Sequence, residues 1–283
     1  MSMRKIVVPV DGTPAVQGAL ETALFVGRWL EAHVEAVHVR VEPTAAVPLV
    51  GEGMSGALVQ DLIELTERES AGRAAAAKAM FEEARARAGV AAAENPAPSG
   101  VSARFIEFRG IEEDTVVNRA RLADLVVIGR PIVHPEALST VPFNALIFES
   151  AAPVMVAAAA APGALKRIVV AWNDSKECAR AIKYALPLLH RAESVEVISV
   201  GADPDVDRAC ADAVQFLAWH GIAAMPRIVA DTGSPDERLG DACSGADMVV
   251  MGAYTHNRLW QMILGSVTRH MIERTSLLLF MAH

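Results

Sequence analysis

Gly252 ends a short apolar run, Met248 to Met251, and is followed by two residues, Thr255, nine residues and then Gly265-Ser266. An apolar run that stops on glycine and soon reopens on Gly-Ser reads as a strand feeding a helix N-terminus. Glycine lets another group approach the backbone closely. The first N–H groups of a helix have no intrahelical partner and point with the helix dipole at any bound anion. Gly252, Thr255, Gly265, Ser266 and Val267 therefore form a candidate phosphate cradle, in which the Ser266 hydroxyl adds a donor. An ordinary turn with an N-cap would use the same residue types.

Two further stretches fall at the same edge of the expected sheet. Asn173 follows the apolar run Ile168 to Trp172, and Val200 closes the run Val195 to Val200. An Asn amide both donates and accepts, so Asn173 suits a base edge or a ribose hydroxyl. Asn173-Asp174-Ser175 equally suits the cap of the next helix. Other chemistries lack their patterns. No GKS or GKT phosphate loop is present, so magnesium has no pattern to be tightly held by, and no GxSxG elbow occurs. The eight histidines include no HExxH or HxxxH spacing. His256 and His270 flank the loop and would meet a phosphate there, against the commoner surface or capping use. Cys178, Cys210 and Cys243 have no CxxC pair and read as reduced thiols with packing roles.

The elements that must position these residues repeat. Lys5 to Val10 is a continuous apolar run, as a parallel strand buried on both faces requires, and Asp11 or Thr13 is placed to cap the helix through Ala19 and Leu24. Strands follow at 34–39, 101–108, 124–129 and 153–157, with helices at 58–88, 114–122 and 143–149. Pro43 to Gly56 and Ala91 to Gly100 read as loops, and Ala158 to Gly163 as a linker. The charged residues of the 58–88 helix read as a solvated face, with partner binding as the alternative. The pattern then restarts. Arg167-Ile-Val-Val-Ala-Trp-Asn-Asp-Ser175 lies over Lys5-Ile-Val-Val-Pro-Val-Asp-Gly-Thr13, and Ala246-Asp-Met-Val-Val-Met-Gly252 over Ala123-Asp-Leu-Val-Val-Ile-Gly129. Two copies of a βα repeat imply two doubly wound units with right-handed crossovers, whose ligands lie beyond the C-terminal strand ends where the strand order reverses.

Composition agrees. The chain has 283 residues, 52% hydrophobic and only 5% aromatic, with a net charge of −8. That supports a sizeable α/β core and argues against a nucleic-acid partner, which needs a basic face. No apolar run reaches the ~18 residues of a membrane span, and no leader pattern opens the sequence. A cytoplasmic location is the expectation.

These residues resemble the universal stress protein family, on VVPVDGT at 7–13, VVAWNDS at 169–175, ADLVVIG at 123–129 and ADMVVMGAYTHNRLWQMILGSVTR at 246–269. The resemblance implies a tandem member with two five-stranded parallel-sheet units, Rossmann-like and adenine nucleotide alpha hydrolase-like. They would span 1–160 and 165–283 and pack as an intramolecular pseudo-dimer, with Pro153–Ala157 beside Leu277–Met281. It further implies ATP or another adenine nucleotide as ligand. The family's ATP loop is Gly, two residues, Gly, nine residues, Gly-Ser or Gly-Thr. Thr255 replaces the second glycine, and its β-branched side chain disfavours positive φ. In the first half Gly129 is followed by Arg130-Pro131, and Val141-Pro142 stand where Gly265-Ser266 would. Proline donates no N–H, so that copy reads as degenerate, with Asp11 left on the adenine or ribose side. The implied function is a stress-response module that binds nucleotide without efficient catalysis. A protein-interaction scaffold that binds none is the alternative, and a slow ATPase lacks a general base. Whether two chains pair, or a protein partner binds, is left open.

Overall fold

The computed structural model describes residues 2–40, 56–130, 143–158, 160–231, 233–253 and 266–283, without the side chains of 56–59. The first half runs β1 (Lys5–Pro9), a 3-10 turn (Pro14–Val16), α1 (Gln17–Leu30), β2 (His33–Arg40), α2 (Gly56–Arg87), β3 (Ala91–Ala92), β4 (Ser102–Arg109), α3 (Glu112–Ala120), β5 (Leu125–Ile128), α4 (Phe143–Glu149) and β6 (Val154–Val156). The second half runs β7 (Arg167–Ala171), α5 (Lys176–Leu189), β8 (Ser194–Val200), α6 (Pro204–Trp219), β9 (Ala224–Val229), α7 (Pro235–Ala242), β10 (Met248–Gly252), α8 (Ser266–Arg274) and β11 (Leu278–Ala282).

The strands form one eleven-stranded sheet in the order β3-β4-β2-β1-β5-β6-β11-β10-β7-β8-β9. Apart from the short β3 edge, the second half mirrors the first across the middle of the sheet. Each half is parallel and doubly wound, reversing its strand order between β1 and β5 or between β7 and β10. The halves meet where β6 pairs antiparallel with β11, with Val156 opposite Leu279, Met155 opposite Phe280 and Val154 opposite Met281. This is the pseudo-dimer implied by the resemblance. All six of these side chains are fully buried, so the seam is core rather than a wetted contact between units.

The apolar runs explain the layers. Ile6, Val7 and Val8 are completely buried, as are Ile168 and Val169, and each such side chain contributes roughly 1.5–3 kcal/mol. Alternate residues point to opposite faces of a strand, and two cores result. One contains Ile6, Met155, Ile168 and Phe280 with α1, α2, α5 and α6. The other contains Val7, Val154, Val169 and Leu279 with α3, α4, α7 and α8. Both cores cross the seam. The face of α5 that packs inward carries Cys178, Ala181, Ile182, Ala185 and Leu189 at helical spacing. Residues Glu64, Glu67, Arg68, Glu69 and Arg73 of α2 are exposed, the solvated face read from their pattern.

Two local expectations are corrected. Neither Asp11 nor Thr13 caps α1. Asp11 Oδ1 instead accepts from both the backbone N–H and the hydroxyl of Thr13, each at 2.8 Å. A 3-10 turn intervenes, and α1 starts after Val16 with no side-chain cap. The Asx turn is the competing use of an Asp two residues before an N–H. The stretch 91–100 is also not wholly a loop, since Ala91–Ala92 add to the edge of β4.

Candidate functional site

The site grows from three strand ends. Ala171 pairs with Ile198 and with Met251, so Gly252 stands level with Trp172, and Val200 level with Asn173. Asn173, Val200 and Gly252 thus share one edge of the sheet, at the point where β7 separates β8 from β10. Residues 275–277 link α8 to the start of β11, so α8 runs antiparallel to the strands. Its first residues, Ser266 and Val267, therefore lie toward the same edge. Ser266 is exposed, and Val267 is half-buried against the core on that face. Thr255 and Gly265 lie outside the described residues, as do His256, Pro131, Val141 and Pro142.

The floor of the site is built by a cysteine that the sequence pattern does not single out. Ser175 caps α5, its Oγ accepting the Cys178 N–H at 3.2 Å, while Asn173 Oδ1 accepts from the Ser175 N–H at 3.3 Å. The capping use of Asn173–Ser175 is therefore realised, although Asn173 remains exposed at the rim. Cys178 Sγ donates to the Ala171 carbonyl and accepts from the Gly252 N–H, both at 3.3 Å. One thiol thereby joins β7, α5 and β10. Burial pushes that thiol up, although the hydrogen bonds from Ser175 and Gly252 oppose the shift. A Cβ on residue 252 would sit 2.6 Å from the Cys178 amide nitrogen and 2.8 Å from Glu177 Cβ. The glycine is thus required by the helix packed against it, whatever else it serves.

Two buried polar atoms lie just beneath this edge without a hydrogen-bond partner, Trp172 Nε1 and Ser199 Oγ. The Trp172 backbone N–H is paired to the Ile198 carbonyl at 2.8 Å, which sets its side chain on the same face as Ser199. His270 turns away from the phosphate end, and its Nε2 would be 3.0 Å from a Cβ on Gly240 of α7. Among the described residues no group of three or more His, Cys, Asp or Glu could hold a metal.

The corresponding edge of the first half is filled by its own chain. Gly12 has φ +83°, and a Cβ there would stand 2.5 Å from the Arg73 carbonyl oxygen, so α2 crosses directly over the end of β1. Burial, followed by the nearby Asp11, raises the Glu112 carboxyl, while Arg73 pulls the other way. His38 Nδ1 donates to the Val10 carbonyl at 2.7 Å. Arg130, which follows Gly129, turns out of its own half. It donates through Nη1 to the Met271 carbonyl at 3.0 Å and to that of Ile272, and through Nη2 to that of Leu277. No spacing in the sequence signals this contact, because it joins positions about half the chain apart.

Among the described residues no helix is long and apolar enough to cross a membrane. No curated protein matches the chain. The structure is similar to a universal stress protein from Archaeoglobus fulgidus DSM 4304, covering 99% of this chain and 96% of that one at 18% identity, TM-score 0.69. It is also similar to a functionally unknown protein from Pseudomonas aeruginosa PAO1, over 99% and 92% at 14% identity, TM-score 0.57. A universal stress protein in complex with cAMP covers 55% of this chain and 97% of its own at 21% identity, TM-score 0.35. For the first two, at these identities, the likeness is one of fold. Residues 3–134, a little under half of the chain, match the model of the universal stress protein family, and over those residues the chain is similar to that family.

Proposed function

We propose that the chain is a two-domain universal stress protein, 1–160 and 165–283, whose second domain binds an adenine nucleotide and does not turn it over efficiently. The observation that carries this reading is the convergence of Asn173, Val200, Gly252 and the N-terminal turn of α8 on one edge, where the strand order reverses. Asn173 would meet the base or ribose, with Val200 beside it. The N–H groups of Ser266 and Val267, which have no intrahelical acceptor, and the Ser266 hydroxyl would meet phosphate. Among the described residues of this edge none is placed as a general base for a water, which supports binding without turnover. The first domain contributes packing, since α2 covers its strand ends.

A non-binding scaffold is the second reading. It is favoured by Gly252, whose lack of a side chain is already accounted for by α5, and by Thr255 at the family's second glycine. Isothermal titration of the full chain with ATP, ADP and AMP separates the two. The nucleotide reading expects one site per chain, saturating by millimolar ligand. Ser266→Pro keeps a residue that the first turn of a helix tolerates but removes an N–H and a hydroxyl, and should weaken binding about tenfold or more. No heat and no saturation with any of the three nucleotides would leave the scaffold.

A further inference from the structure

The helix that supplies the phosphate end of this site is finished only in part by its own half, through the Thr275 hydroxyl, which donates to the Met271 carbonyl at 2.7 Å. The last four carbonyls of a helix have no intrahelical donors; in α8 Arg130 of the first half donates to that of Ile272 and adds a second donor to that of Met271. The same guanidinium reaches the Leu277 carbonyl, one residue before β11. Arg130 therefore clamps both the end of α8 and the start of the following strand. No carboxylate among the described residues balances its charge. What faces it is the negative end of the α8 dipole, the favourable place for a cation.

The repeat shows that this arrangement is asymmetric. The helix equivalent to α8 in the first half is α4, and the Glu149 carbonyl at its end is capped by Arg121 of the same half, at 3.2 Å. The residue equivalent to Arg130 in the second half is Ala253, whose methyl group can neither reach back nor donate. Its carbonyl is instead held by His283 Nδ1 at 3.1 Å. One half thus caps the ligand helix of the other with a guanidinium, whereas in the reverse direction the second half meets α4 through the His283 ring, 4.5 Å from that of Phe148. Arg130 also sits two residues after the end of β5, where the first half's own ligand loop would begin.

We propose that Arg130 is a cross-half positioning residue for the nucleotide site: by holding the C-terminal end of α8, the first half sets where the helix N-terminus meets phosphate. This rests on the nucleotide reading given above. α8 is a short rod of nine residues, about 13 Å long, so a shift at Met271 is carried to Ser266 with little loss. A misplacement on the order of 1 Å at a charge-binding group is costly to affinity or rate.

The experiment uses the full chain and compares the parent with Arg130→Met, Arg130→Lys and Arg121→Met. ATP affinity is measured by titration, and amide exchange of residues 267–272 is followed without ligand. Arg130→Met should speed exchange in α8 and weaken ATP about tenfold. Lysine keeps the charge but cannot span three carbonyls, so Arg130→Lys should lose about threefold. Arg121→Met removes the same kind of cap from α4 and should leave ATP affinity within about twofold. Unchanged affinity in folded Arg130→Met overturns the proposal while leaving the nucleotide site standing, and so does an equal loss in Arg121→Met. If Arg130→Met does not fold, an unchanged affinity in Arg130→Lys overturns it instead. A parent chain that binds no ATP defeats the nucleotide reading itself, and this proposal with it.

Discussion

The backbone N–H of Gly252 donates to Cys178 Sγ at 3.3 Å, and the amide nitrogen of Cys178 lies 2.6 Å from where a Cβ on residue 252 would be. Strand β10 and the first turn of α5 are therefore in backbone-to-backbone contact at the floor of the site. Gly252→Ala must push α5 away or bend β10. Overpacking of this kind costs typically 1–3 kcal/mol, and with rigid backbone on both sides the upper end applies. Urea denaturation should show a loss of about 2–3 kcal/mol. A loss below about 0.5 kcal/mol would mean that the contact relaxes freely and that the glycine has some other reason.

Glu35 is buried on β2 among Lys5 at 3.1 Å, Arg104 at 2.5 Å and Arg119 at 2.8 Å. Burial alone would raise its carboxyl, but the hydrogen bonds from Arg104, Lys5 and Arg119 outweigh burial and hold it down to about 2. A folded pKa below the unfolded one stabilises above the unfolded value, near 4.5, and that stability is lost as pH falls toward 2. Glu35→Ala leaves three cations facing one another and should cost about 3–5 kcal/mol at pH 7. The decisive measurement is the pH dependence. Between pH 4.5 and pH 2 the parent should lose stability more steeply than Glu35→Gln, and parallel curves would refute the assignment.

The fold was legible because it is written in continuous apolar runs. Ile6 to Val8, Ile168 to Val170 and Met248 to Met251 admit few other readings, and the repeat of Ala-Asp before an apolar run gave the second half its register. The antiparallel seam of β6 and β11 came with the family resemblance, not from the apolar pattern. The site was legible only in outline. Asn173, Val200 and Gly252 do share an edge, but the reason Gly252 lacks a side chain lies in α5, seventy-odd positions earlier. In the sequence Arg130 reads only as a mark of a degenerate loop. Its contacts with Met271 and Leu277 are set by tertiary packing, which no local spacing encodes. Asp11 reads as a cap in the sequence because a carboxylate before a turn serves a helix as readily as the Asx turn it forms here.

Cys178, Cys210 and Cys243 are free and buried. Burial pushes the Cys243 thiol up to about 12, with nearby Glu196 adding to the shift. Since the thiolate is the reactive form, the native chain should show no rapid reaction with an aromatic disulfide reagent at pH 8. The same reagent in denaturant should titrate all three thiols. A rapidly reacting thiol in the folded chain would show that one of these packing sites opens.

Asp124 and Asp247 explain why the Ala-Asp pair recurs. Asp124 Oδ2 accepts the backbone N–H groups of Arg4 and Lys5, at 2.8 and 2.9 Å. Asp247 Oδ2 accepts those of Lys166 and Arg167, at 2.7 and 2.8 Å. In each half a carboxylate just before one central strand thus anchors the first residues of its neighbour, β1 or β7, and fixes the parallel register from the N-terminal edge. Hydrogen bonds to a charged acceptor are worth about 1.5–3 kcal/mol, and the N–H groups left unmet add a desolvation cost where they are buried. Asp247→Ala should therefore cost about 2–3 kcal/mol in urea denaturation. Asp124→Ala should cost a similar amount, because the geometry is the same. An Asn Oδ1 still accepts both N–H groups without the charge, so Asp247→Asn should cost less than half as much. If Asn proves as damaging as Ala, the negative charge rather than the paired acceptor geometry holds β7, and the salt dependence of the parent's stability should then be correspondingly steep.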